Sequence, residues 1–243
     1  MSQAATGRAF TVFAFVLISA CSEPLAPAEV AGLDDDFSAK QLAADWTVLN
    51  GESFESRLED GRLHMRPTKN TVWYKADQGP GLIKLVSGNF KVTSIVRARK
   101  ASAPGEYVSN GFQFAGLIAR DPASAQPNAK ENYVFNVVGY RGDYLCVETK
   151  TTKRDYSDVE GPAWPTADAE LRICRKDDVF RLYKRPIGEK VWELGQSYQR
   201  SDLPATLQVG PIAYAYTDEF DLDGSFEEVR FAPVNTLDDC TSD

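Results

Sequence analysis

The chain predicts an all-β protein, an antiparallel two-sheet sandwich. Apolar and polar residues alternate with a period of two over many short stretches, and turn-forming dipeptides fall between those stretches. No segment sustains the 3.6-residue apolar rhythm of a long helix, which removes the parallel α/β alternatives.

Taken in order, residues 39–45 carry the pattern of one or two helical turns. Asp60-Gly61 is a hairpin signal, followed by the strand-like residues 63–66. Gly88-Asn89 precedes a strand over residues 90–98, in which Phe90, Val92, Val96 and Ala98 share one face. Residues 133–140 and 144–151 alternate similarly around Gly142-Asp143. Residues 170–176 and 179–185 do so around Asp177-Asp178, which Ile187-Gly188 follows. Residues 212–216 and 226–231 supply the last strands.

The first twenty residues read differently. Arg8 is the only charge before Cys21, and residues 9–20 are apolar except for Thr11 and Ser19. This is a secretory signal, too short for a spanning helix of about 20 residues. Ile18-Ser19-Ala20-Cys21 resembles the bacterial lipobox, which implies cleavage before Cys21 and a diacylglyceryl group on its sulfur. Ser22 stands where an inner-membrane retention signal would place Asp, so the resemblance favours an outer membrane if the host has one. The expected organisation is a signal peptide over 1–20 and an anchor with a flexible Pro/Ala-rich tether over 21–33. One domain over 34–234 and a tail over 235–243 follow.

The net charge is −8, and cleavage would remove one more positive charge, Arg8. An acidic surface excludes nucleic acid as a partner and argues against electrostatic docking on anionic lipid. The membrane is therefore expected as a partner through the lipid alone, and the protein is expected to be a monomer. With Cys21 acylated, Cys146, Cys174 and Cys240 remain. Leu145 and Val147 should point inward, and so should Leu171 and Ile173; Cys146 and Cys174 then share the outward parity. The expected disulfide is Cys146–Cys174, with Cys240 in a loose tail.

The order of several segments resembles a known superfamily. Asp35-Asp36-Phe37-Ser38 leads to Trp46, Asp77-Gln-Gly-Pro-Gly leads to residues 86–90, and residues 115–120 form a middle strand. Residues 171–183, Gly188 to Trp192 and residues 226–231 close the series. Together they resemble the concanavalin A-like lectin/glucanase superfamily, in particular bacterial jelly-roll modules similar to the β-sandwich appended to family-43 glycosidases. The resemblance implies a sandwich with Trp46 and Trp192 buried. It leaves function open, since this fold hosts sugar binding, glycan hydrolysis and structural roles.

Candidate chemistry is sparse, and no catalytic residue is assigned. Glu219, Asp221 and Asp223 share a parity reminiscent of a glucanase Glu-x-Asp-x-Glu strand, but the third residue is Asp and the run precedes the last strand. A solvated loop is the expected reading. The resemblance places the first and last strands side by side, so Asp35, Asp36, Asp221 and Asp223 are the candidate ligands of a structural calcium ion. Sugar stacking needs exposed rings, and the candidates are Trp73, Tyr74, Trp164, Tyr198, Tyr214 and Tyr216. His64 is the only histidine, with no activating motif around any serine or cysteine. Arg141-Gly142-Asp143 is expected to be a hairpin turn. The expected function is non-catalytic binding of carbohydrate or another cell-envelope ligand. The alternatives are a glycan hydrolase or lyase, and a structural domain with no small ligand.

Overall fold

A computed structural model describes residues 24–243; the leader, Cys21 and the start of the tether lie outside them. In chain order the strands are β1 (Thr47–Leu49), β2 (Phe54–Glu59), β3 (Arg62–Pro67), β4 (Gly81–Ser87) and β5 (Phe90–Lys100). There follow β6 (Phe112–Arg120), β7 (Asn132–Arg141), β8 (Tyr144–Lys153), β9 (Tyr156–Glu160) and β10 (Asp168–Lys176). The last five are β11 (Val179–Arg185), β12 (Glu193–Gln199), β13 (Thr206–Tyr216), β14 (Leu222–Phe226) and β15 (Arg230–Pro233). They form two antiparallel sheets, ordered β1-β4-β13-β6-β7-β8-β9 and β12-β11-β10-β5-β14-β3-β2, with β15 also paired to β5. The all-β sandwich expected from the sequence is the architecture found. Among the described residues no helix is long and apolar enough to cross a membrane.

Alternation decides the layers. Val92, Val96 and Ala98 of β5 and Leu171 and Ile173 of β10 point between the sheets. They meet Leu117 of β6, Val134 and Val138 of β7, and Val209 and Ala213 of β13. Each fully buried Val, Leu or Ile contributes about 1.5–3 kcal/mol. The opposite parity of the first sheet carries a second apolar layer, including Phe114, Tyr133, Phe135, Val137 and Tyr214. This explains why residues 133–138 are nearly continuously apolar, as expected of a strand covered on both faces.

Turns set the registers. Asp60 and Gly61 both have positive φ, so β2 and β3 join through the type I′ turn that Asp-Gly favours. Arg154 and Asp155 adopt positive φ without any glycine, and they join β8 to β9. Residues 39–45 contain bends and turns, not helix. Residues 226–231 are not one strand. β14 covers Val96 to Lys100 of β5 and β15 covers Phe90 to Thr93, and Val229 in the gap pairs with Asp35.

The two ends of the described chain are fastened down. Ala28 donates its N–H to the Asn89 carbonyl at 2.8 Å, and Asn89 returns a bond to the Ala26 carbonyl at 2.8 Å. Leu25 donates to an Asp177 oxygen at 2.7 Å. Gly88 makes this approach possible: with φ at 94°, a Cβ there would lie 2.5 Å from the Ala26 carbonyl oxygen. The expected flexible tether therefore lies against the domain from Leu25 onward.

The expected Cys146–Cys174 bridge is replaced by Cys174–Cys240, and Cys146 is a buried free thiol. Both cysteines do point outward, but from different sheets, so they sit on opposite sides of the sandwich. Nor is the tail loose. Leu237–Cys240 forms a 3₁₀ turn over Cys174, Tyr183 and Trp192. Arg172 donates to the Cys240 and Ser242 carbonyls at 2.8 Å each, and Lys91 donates to those of Asp239 and Ser242 at 3.0 and 2.6 Å. As the resemblance implied, Trp46 and Trp192 are both buried, the second under this tail.

Candidate functional site

Register aligns the outward side chains of the first sheet in rows across the strands. Tyr216 of β13 faces Phe112 of β6, which faces Arg141 of β7, which faces Tyr144 of β8. The next row is Tyr214, Phe114, Gly139 and Cys146, and then come Ile212, Gly116, Val137 and Glu148. Gly116 and Gly139 stand where a Cβ would meet the adjoining strand, 2.2 Å from the Asn136 carbonyl oxygen and 2.0 Å from the Gln113 carbonyl oxygen, so β6 and β7 lie close here.

Residues 68–80 overhang this face. Thr71 donates to the Ala215 carbonyl at 2.8 Å, Lys150 Nζ to the Trp73 carbonyl at 2.7 Å, and Lys75 N–H to Ser157 Oγ at 2.8 Å. Gln78 donates to Glu131 at 2.6 Å, and Glu131 in turn takes both forks of Arg120 at 2.7 and 2.9 Å. That ion pair is 1% exposed on each side. Trp73 fills the space under the overhang, edge-on to Tyr133, and the lack of a side chain at Gly79 lets it fit. Between overhang and sheet lies a cleft of about 370 Å³.

Tyr74 and Tyr216 rim this cleft as exposed rings, the second 54% exposed, with Phe112 beside them. Its polar side consists of Arg141, Glu148, Lys150 and Asp77. Glu148 is 4% exposed and held between Arg141 and Lys150, each at 3.3 Å. Lys150 lies 4.4 Å from the Phe135 ring centroid. Burial pulls its ammonium below the usual lysine range, against the pull of Glu148. Burial also raises the Tyr214 phenol well above its ordinary value, and the Cys146 thiol to about 12. Both therefore keep their protons at neutral pH, acting as donors and not as bases or nucleophiles.

Retaining glycosidases place two carboxyl groups about 5–5.5 Å apart. The cleft-facing side of β8 instead reads Cys146, Glu148, Lys150, a single carboxylate between a thiol and an ammonium. The other carboxylate in the lining, Asp77, comes from the overhang.

Of the predicted aromatic residues, Tyr74, Tyr214 and Tyr216 line the cleft, and Trp73 is buried beneath the overhang. Trp164 and Tyr198 are elsewhere, packed against the main core. The bridge between Cys146 and Ala163 turns the 161–165 segment inward, and the Trp164 indole donates to the Asp168 carbonyl at 3.1 Å. Sequence reasoning missed Phe112, Arg141, Glu148 and Lys150. The inward placement of Val147 was the available signal, since it turns Glu148 and Lys150 outward.

The expected calcium ligands do not assemble. Asp35 accepts from the Trp46 indole at 2.7 Å and the Phe37 N–H at 2.9 Å, Asp36 from Ser38, and Asp221 from Ser102. Asp223 pairs with Arg99 on β5 while Val229, the partner of Asp35, sits on the Ser94 side of the Arg230–Thr93 pair, a separation of about 17 Å along the strand. Among the described residues no group of His, Cys, Asp and Glu forms a metal-ligand set.

Asp223 is engaged by Arg57 at 2.9 Å, Arg66 at 3.0 Å and His64 Nδ1 at 3.1 Å. Burial alone would raise its pKa, but these bonds hold it well below the usual carboxylate range. Asp202 behaves similarly: burial opposes, and the two bonds from Arg200 bring it to about 2. Both groups have folded values below the unfolded one. Their stabilisation is present above about pH 4 and is lost as pH falls through the folded values. The melting temperature should fall between about pH 4 and pH 2, and Asp202→Asn should flatten that limb. A melting temperature independent of pH over this interval would contradict the assignment.

No protein-family model matches the chain, and a search of curated proteins finds no match. Solved structures do share its fold. A functionally unknown protein from Saccharomyces cerevisiae matches at 17% identity and a TM-score of 0.64, over 79% of this chain and 98% of that one. The GH43 BlXynB protein of Bacillus licheniformis matches at 13% and 0.63, over 83% of this chain and 39% of its own length. The CBM2 module of the evolved Dit of Lactobacillus casei BL23 phage J-1 matches at 11% and 0.56, over 89% and 100%. The chain thus spans about two fifths of the GH43 protein. At these identities the likeness is one of fold alone, a jelly-roll-type sandwich.

Proposed function

We propose that the protein is a lipid-anchored, extracytoplasmic β-sandwich that binds carbohydrate without cleaving it, in the cleft beneath residues 68–80. One observation carries this reading. Exposed Tyr74 and Tyr216 rings border a cleft whose polar side presents Glu148 between Arg141 and Lys150, with Asp77 on the overhang. Rings of this kind stack on the apolar faces of sugars, and the charged groups suit hydroxyl recognition. Neighbours named as a GH43 protein and a CBM2 module fit the same ligand class. The lipobox resemblance at Cys21 supports export, as does the Cys174–Cys240 disulfide, a bond that persists in oxidising compartments.

A glycan array on residues 24–243 tests the ligand. Tyr216→Ala and Tyr74→Ala should each weaken any hit about threefold to tenfold. Tyr156→Ala, at a ring 76% exposed and outside the cleft, should leave it unchanged. No glycan bound, or binding indifferent to the cleft tyrosines, would refute the reading. Release of sugar ends by the wild type but not by Glu148→Gln would replace binding by catalysis. For the anchor, Cys21→Ala should abolish acylation and membrane retention in cells. A variant still partitioning with detergent would sink that part.

A further inference from the structure

We infer that the outer face of the second sheet carries a separate site for a tetrahedral oxyanion, a sulfate or phosphate ester or the free ion. One row across this sheet reads Asp168, Arg97, Ser225, His64, Arg57. Arg62 and Arg99 flank it, and a cleft of about 320 Å³ opens over Arg62, His64, Arg97, Arg99, Ser225 and Asp223. The Asp223 carboxylate is already held by arginines and His64, and Pro104 and Gly105 close the cleft on one side.

Ser225 is 6% exposed and lies on the floor of this cleft, yet among the described residues its hydroxyl has no hydrogen-bond partner. That hydroxyl opens into the cleft, where it can pair with a ligand oxygen without giving up a bond within the protein. The guanidiniums around it are fixed from behind. Glu227 holds Arg97 at 2.6 Å and Arg62 at 3.1 Å. Asp168 takes both forks of Arg99, whose guanidinium also lies 4.2 Å from the Tyr107 ring centroid. Asp223 accepts from His64 Nδ1, which leaves Nε2 as the other polar atom of the ring.

Arg57, Arg62, Arg66, Arg97 and Arg99 gather here among Glu55, Glu59, Asp168, Asp223 and Glu227, so this patch is balanced in charge within a chain of net charge −8. Every cation in it is arginine, the side chain whose rigid fork suits sulfate and phosphate. Donors reach the cleft from the floor at Ser225, from one wall at Arg97 and Arg99, and from the other at Arg62. Three directions match the oxygens of a tetrahedral group better than those of a flat carboxylate. Forks held in place in advance lose little freedom on binding.

Calorimetric titration of residues 24–243 with inorganic sulfate, inorganic phosphate, a sugar sulfate, a sugar phosphate and the unesterified sugar tests this. The anions should bind and lose affinity about tenfold or more in Arg97→Gln and in Arg62→Gln, a half-exposed position where folding is not at stake. Ser225→Ala should weaken them severalfold. Esters binding more tightly than the inorganic ions would assign the site to a decorated sugar, and equal binding to the free ion. Arg181→Gln removes the same charge from another part of this face and should change nothing, as should Tyr216→Ala in the other cleft. No anion binding, affinity unchanged in Arg97→Gln and Arg62→Gln, or an equal loss in Arg181→Gln would overturn the site. None of these results touches the carbohydrate reading, which Tyr216→Ala reports separately.

Discussion

Cys240→Ser should lower the stability of the domain by about 4 kcal/mol, the chain-entropy value for a bridge closing a loop of this size. The disulfide spans 66 residues and fixes the tail over the second sheet. Losing it would also free the carbonyls that Arg172 and Lys91 use, leaving two buried cations to find water. Burial already pulls Arg172 down to about 10 and Lys91 below the ordinary lysine range, so neither cation is comfortable in place. Urea unfolding with and without reductant measures the loss, and Cys146→Ala serves as a control that keeps the bridge. Thiol labelling of denatured, unreduced protein should find Cys146 reactive and Cys174 and Cys240 blocked. Equal midpoints for Cys240→Ser and wild type, or free thiols at 174 and 240, would refute the pairing.

Glu131→Ala should cost about 3–5 kcal/mol, because it strands the Arg120 guanidinium in a buried site. Arg120 would keep only its 2.8 Å bond to Gln208. The effect should reach the proposed carbohydrate cleft as well, since Glu131 also anchors Gln78 of the overhang. Hydrogen exchange in residues 68–80 should accelerate and glycan affinity should fall. Replacing both partners, as Arg120→Met with Glu131→Leu, should recover much of the stability but not the protection of 68–80. Normal stability in Glu131→Ala would show that water reaches the pair.

The sandwich was legible because its strands alternate and several of its turns carry glycine. β9 was not, because Arg154 and Asp155 make a tight turn that their side chains do not advertise. Parity gave the outward direction of Cys146 and Cys174 correctly. It could not say that β8 and β10 belong to different sheets, because sheet membership depends on pairings far apart in the chain. The same limit hid the cleft. Tyr74, Tyr214 and Tyr216 could be chosen as aromatic, and Glu148 and Lys150 could have been placed outward. The overhang that joins them rests on Gln78 meeting Glu131 and Lys150 meeting Trp73, contacts with no local signature. In the second cleft, Ser225, His64 and Arg97 are remote in sequence and become neighbours only through β14.

The attachment of Leu25 to Asp177 bears on reach. With the proposed lipid on Cys21, only four peptide steps separate the bilayer from a fixed point on the domain, at most about 14 Å of chain. Such a mooring is too short for the domain to roam. Its near end is the Gly88–Asn89 turn, where Ser87 pairs with Thr206. Tyr216 on β13 and Arg99 on β5 each lie ten residues farther along their strands, about 33 Å away. Both clefts would therefore be carried at the outboard end, turned toward whatever arrives from outside and away from the lipid that holds them.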